Sequence, residues 1–195
     1  MQCNGNRAFA INRYRTNDPE NSNKCSLSVN LFIAEHLLIV DRHAFYNHHD
    51  MHSDTNLQRF LEAQQRNYET ALAEIRQGKK RTHWIWYIFP QIQGLGSSET
   101  SRYYAIKDIN EAINYLEHPV LGTRLITISR VLVQLAGPTA NQIFGSPDDM
   151  KLRSCMTLFA RIPGADSVFQ QVLDKYFCAE QDKKTLQILE AENTG

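Results

Sequence analysis

His83 is the one histidine inside the segment Thr82-His83-Trp84-Ile85-Trp86-Tyr87-Ile88-Phe89-Pro90-Gln91, which also holds both tryptophans of the chain. An imidazole titrates near neutral pH and suits general acid or base work or ligand binding. The indoles of Trp84 and Trp86 are large rigid surfaces that either anchor a core or stack on a planar ligand. Gln91 and Ser98 could orient polar atoms of such a ligand. Lys151 could meet an anionic group, with Ser154 nearly one helical turn further along. The expected site therefore has His83 as the best acid–base candidate, and Trp84, Trp86, Gln91, Ser98, Lys151 and Ser154 as ligand-binding residues.

Familiar signatures are mostly excluded. Gly94-Leu95-Gly96-Ser97-Ser98 resembles a nucleotide-binding turn, but Glu99 stands where a dinucleotide fingerprint needs glycine and no βαβ pattern frames it. A phosphate-binding loop lacks its Gly-Lys-Ser/Thr. The glycine turn could still hold an anion on backbone amides, or Ser97 or Ser98 could simply cap the helix carrying Tyr103 and Tyr104. Asp148 takes the place a Ser-x-x-Lys nucleophile would need, and no Gly-x-Ser-x-Gly elbow is present. By elimination the ligand expected is a small polar or phosphorylated molecule, nucleotide-like in kind. The alternative is a non-enzymatic interaction or scaffold module. There Trp84, Trp86 and Phe89 are core, His83, Gln91 and Asp148 satisfy buried polar groups, and the helix with Lys151 and Ser154 is amphipathic with a solvated face. The residues name neither a reaction nor a cofactor.

Composition narrows the class. Lys+Arg and Asp+Glu balance at 21 each, which argues against a broad nucleic-acid footprint. The run Lys79-Lys80-Arg81 is expected to solvate a helix end. Cys3, Cys25, Cys155 and Cys178 show no CxxC or Cys/His zinc spacing, so no metal site is assigned and a reducing cytoplasm is expected. No apolar run reaches the roughly 18–20 residues that span a bilayer, so no membrane is expected as a partner. The polar Met1-Gln2-Cys3-Asn4-Gly5-Asn6 lacks a secretion design.

Two unlike parts must carry these residues. Residues 1–50 read as an accessory, partly disordered extension. It is Asn- and Arg-rich, with one apolar stretch from Leu27 to Val40 and the histidines His36, His43, His48 and His49. Met51 is a candidate natural start. Residues 51–195 read as a compact all-α domain. Leu57, Phe60, Leu61, Tyr68, Ala71, Leu72 and Ile75 form a helical stripe that stops at Gly78. Trp84, Ile85, Ile88 and Phe89 fit a short helix ended by Pro90. Further helices are expected over Ile106–Leu116, Pro119–Leu135, Ala140–Phe144, Val168–Phe177 and Lys184–Leu189. Another, before Pro163, is opened by Ser146 as N-cap and Pro147 in its first position. His118 is expected to end a helix and cap the turn before Pro119.

Several of these motifs occur together in one family. His83-Trp84-Ile85-Trp86-Tyr87-Ile88-Phe89-Pro90-Gln91, Gly94 to Ser98, Tyr104-Ala105-Ile106 and His118-Pro119 to Leu125 are similar to the uncharacterised domain-of-unknown-function family 1810. Ile143 to Ser154, Met156 to Phe159, Val172 to Phe177 and Thr185-Leu186 continue the resemblance, which covers about Asn56 to Leu189. Met150 and Cys155 stand where leucine and serine are expected. The resemblance implies a compact, multihelical, mostly bacterial domain with no established activity.

Overall fold

The computed structural model describes residues 54–192, with side chains from Leu57 onward. The expectations for the 1–50 extension, its histidines and the start at Met51 lie outside the described residues. Within them the chain is helical without strands, as the periodicity implies. Helix α1 runs Asp54–Arg76 and buries Leu57, Phe60, Tyr68, Ala71, Leu72 and Ile75. It stops where Gly78, at φ +67°, donates to the Ile75 carbonyl at 2.8 Å. A short α2, Ile85–Ile88, carries the aromatic segment, and α3, Glu99–Tyr103, follows the glycine turn.

Helix α4 spans Ile109–Glu117, beginning later than the expected Ile106. Asp108 is its N-cap, accepting from the Glu111 amide at 2.9 Å. Ile106 is instead held in extended backbone. Its amide donates to the Gln91 carbonyl at 2.8 Å, and its carbonyl accepts from Gln93 at 2.7 Å. These bonds make an isolated parallel bridge between Ile92 and Ile106, which a helical stripe cannot signal.

His118 closes α4 and its Nδ1 accepts from the amides of Val120 and Leu121, at 3.1 and 3.3 Å, as α5 (Leu121–Gln134) begins. The two helices meet tightly, for a Cβ on Gly122 would lie 1.8 Å from the Leu116 carbonyl oxygen. At the far end of α5, Lys175 Nζ donates to the carbonyls of Leu132, Val133 and Leu135, and the Tyr176 hydroxyl also donates to Leu132. These are the orphan carbonyls of a helix C-terminus, filled from a neighbouring helix.

Thr139 and Gln142 form a capping box at the start of α6, Ala140–Phe144. Helix α7, Asp148–Ala160, is the hub, packing against α2, α4, α6, α8 (Val168–Phe177) and α9 (Lys183–Glu192). Its residues from Ser154 to Phe159 are all buried, so the expected solvated face is absent from that stretch. Its N-cap residue is Pro147 rather than Ser146, and no side chain caps it. The Asp148 side chain, in the first turn, pairs with two lysines. The core is a run of rings: Phe60 to Tyr115 at 5.1 Å, Tyr115 to Phe159 at 5.5 Å and Phe159 to Phe169 at 5.6 Å. Among the described residues no helix is long and apolar enough to cross a membrane.

Candidate functional site

The turn between α1 and α2 wraps around one carboxylate. Glu74 is buried on the last turns of α1. It accepts the Arg81 amide at 2.7 Å, the Thr82 amide at 3.2 Å, the Thr82 hydroxyl at 2.8 Å and the Trp84 indole N–H at 2.8 Å. Burial pushes its pKa up, yet these donors from Arg81, Trp84 and Thr82 outweigh burial and hold it below the ordinary carboxylate value. Trp84, 1 % exposed, is thereby fixed at its polar edge. Its ring meets Phe89 and Phe144, both at 6.2 Å, the latter edge-on.

Between Glu74 and Trp84 in sequence, Lys80 turns inward. Its amide donates to the Ile143 carbonyl at 2.7 Å, which pins the turn to α6. Its ammonium lies 2.7 Å from Asp148 Oδ2 and 5.3 Å from the centroid of the Trp84 ring. Lys151 approaches the same carboxylate from the other side, at 2.7 Å from Oδ1, with its ammonium 4.6 Å over the half-buried Trp86. Asp148 is thus shared by two cations. Burial raises its pKa, and the bonds to Lys151 and Lys80 more than reverse this, keeping it below the ordinary value. The cluster keeps one positive charge in excess, between two indole faces that themselves favour cations.

Three of the expected ligand-binding residues, Trp84, Trp86 and Lys151, are therefore joined through Asp148 and Lys80. Ser154 is on the same helix, buried, its hydroxyl donating to the Met150 carbonyl at 3.1 Å. Ser98 is the N-cap of α3, accepting from the Ser101 amide at 3.1 Å. Gln91 takes its place in the Ile106 bridge through its carbonyl. His83 is exposed, not packed among the rings, and its carbonyl accepts from the Tyr87 hydroxyl at 3.2 Å.

The expectation that Lys79-Lys80-Arg81 solvates a helix end fails at its middle residue. Only 8 % of the Lys80 side chain is exposed, because Asp148 and Trp84 lie behind the turn. Glu74 was also missed. Its signal was present, in that it sits beside Ile75 among the buried residues of α1, where a charge needs partners.

The family model described as "Protein of unknown function (DUF1810)" matches residues 54–189. Among curated proteins, none matches. A solved structure, the conserved hypothetical protein Rv1873 from Mycobacterium tuberculosis, is similar in both sequence and fold. It is 43 % identical over 69 % of this chain and 96 % of its own, with a TM-score of 0.68. The chain belongs to the DUF1810 family.

Proposed function

We propose that this protein binds a small polar or phosphorylated molecule at the face where Lys151 lies over Trp86, beside Lys80 and Asp148. The support is the charge imbalance of that cluster: two ammonium groups share a single carboxylate next to a half-buried indole. An incoming oxyanion would supply the second negative charge, and a planar ligand body could lie against the exposed part of Trp86. Ser154 follows on the same helix, while Gln91 and Ser98 bond within the Ile106 bridge and the α3 cap, so the proposal does not rest on them. His83, exposed at the head of the aromatic segment, is the candidate acid or base for any reaction there. We take the protein to be soluble and cytoplasmic, and its balanced charge argues against nucleic-acid partners.

Calorimetric titration with inorganic phosphate, sugar phosphates and nucleotides tests the proposal. Binding by at least one probe, lost in Lys151→Met and weakened in Trp86→Ala, is the expected result. Heat signals absent for every probe, or unchanged in both variants, would overturn it.

A second reading is favoured by the burial of Trp84 and its bond to Glu74: the motifs are a scaffold, and the domain is an interaction module. Replacement of His83 by alanine separates the two. Its side chain is exposed, so melting should stay unchanged in both readings; lost probe binding in the variant supports a site, whereas no probe binding to either chain supports scaffolding.

A further inference from the structure

The opposite side of α7 carries an arginine whose side chain makes no hydrogen bond. Arg153 is two residues from Lys151, which turns it away from the Trp86 face by about 160° around the helix. Its nearest acidic partners are Glu180 Oε2 at 3.8 Å and Asp182 Oδ1 at 4.0 Å, both beyond hydrogen-bond length. Its Nε is buried and has no hydrogen-bond partner. Other arginines are treated differently: Arg130 reaches Asp166 at 2.6 Å, and Arg59 bonds both Glu111 and the Ala105 carbonyl at 2.8 Å. The guanidinium fork of Arg153 therefore retains its donors, and 26 % of the side chain is open to solvent.

That opening is a groove of about 810 Å³ between α7 and the α8–α9 connection. Its charged lining is Arg153, Lys183 and Lys184 against Glu180 and Asp182, which leaves one positive charge in excess. Neither carboxylate hydrogen-bonds Arg153: Glu180 is 76 % exposed, and Asp182, whose Oδ2 takes the amide and hydroxyl of Thr185, offers it only Oδ1, at 4.0 Å. Met150, which is 53 % exposed, and Leu186 add apolar surface to the same groove. Its size is within the range of small-molecule sites.

We propose that this groove is a second binding site, taking a small organic oxyanion, carboxylate or phosphoryl, carried on an apolar body. The planar fork of Arg153 receives the oxyanion in bidentate fashion, Lys183 and Lys184 flank it, and the body lies on Met150 and Leu186. Glu180 moves aside as the ligand enters.

The test is titration of the ¹⁵N-labelled full chain with phenyl phosphate and benzoate, with inorganic phosphate as the probe lacking an apolar body. The expected result is saturable shifts at Met150, Arg153 and Ala179 to Leu186, stronger for phenyl phosphate than for phosphate, whichever oxyanion binds better. Arg153→Gln should weaken binding about tenfold or more. Glu180→Gln should tighten it severalfold, a direction that a purely structural role for these residues would not give. Should Arg153→Gln fold poorly, the Glu180 variant carries the test. Shifts absent from the groove, or affinities the same in both variants and the native chain, would overturn the proposal. Shifts confined to the Trp86 indole and Lys151 would also overturn it while supporting the first site. Groove shifts that survive Lys151→Met would support it whatever happens at Trp86.

Discussion

Replacing Glu74 by leucine should cost about 3 kcal/mol of stability, and replacing it by glutamine only about 1 kcal/mol. The difference follows from where the donors lie. Glu74 Oε2 receives the two backbone amides and the indole N–H, and Oε1 receives the Thr82 hydroxyl. A glutamine can place its oxygen at the first position and its amide at the second, where the Thr82 hydroxyl rotates to accept. What is lost is the charge assistance of those bonds. A leucine leaves every donor unmatched. Arg81 and Thr82 are exposed and their amides recover water, but the Trp84 indole is buried and its N–H is stranded, at about 1–3 kcal/mol. Urea unfolding followed by far-UV circular dichroism and tryptophan fluorescence measures both variants. A leucine variant within about 1 kcal/mol of the native chain would refute the claim that this carboxylate anchors the aromatic segment.

The same carboxylate gives the acid limb its sign. Its folded pKa is below the ordinary 4.5, so the unfolded chain takes up the proton first. The stabilisation is fully present above the unfolded value and is lost as pH falls through the folded one. The gap between native and glutamine chains should therefore be constant near neutrality and close below about pH 4.5. Asp148 is shifted in the same direction, but it is present in both chains and cancels from the difference.

Three further changes have definite outcomes. Asp148→Asn strands the ammonium of Lys80, whose side chain is only 8 % exposed, facing that of Lys151. It should cost about 3 kcal/mol in urea unfolding, with part recovered in the Lys80→Met double variant. Gly122→Ala drives a methyl into the Leu116 carbonyl and should lower stability by more than about 3 kcal/mol or abolish the folded state, read as a lost thermal transition. Cys155 is a fully buried free thiol whose pKa burial raises well above its ordinary value. Iodoacetamide followed by peptide mass mapping should leave it unmodified until the domain unfolds.

The helices were legible because their signals are local. The stripe of α1, the His118 turn and the Ala140–Phe144 turn each depend on residues within a few positions of one another. The start of α4 was misplaced because Ile106 answers to Gln91 and Gln93, which are distant along the chain and carry no pairing mark. The start of α7 is off by one residue: the Ser-Pro-Asp-Asp string has the composition of a capped helix and puts its acids in the first turn, but the helix begins at Asp148 with no side-chain cap. Site residues divide the same way. Lys151 could be singled out by its place on a motif helix, whereas Lys80 sat in a basic run that composition assigns to solvent.

The placement of the charges bears on how one helix could serve both packing and binding. The C-terminal half of α7 is buried on all sides and makes the core with Phe159 at its centre. Charge is therefore confined to the first two turns, where Lys151 and Arg153 point to different sides. On one side the ions are closely paired at 2.7 Å and press on two indoles, so changes there should register in stability as well as in any binding. On the other side the guanidinium meets its carboxylates only at 3.8 and 4.0 Å, without a hydrogen bond to either. The Arg153 side chain is three-quarters covered and ion-paired at long range but has no hydrogen bond, so a ligand oxyanion at the second site would supply bonds that Glu180 and Asp182 do not.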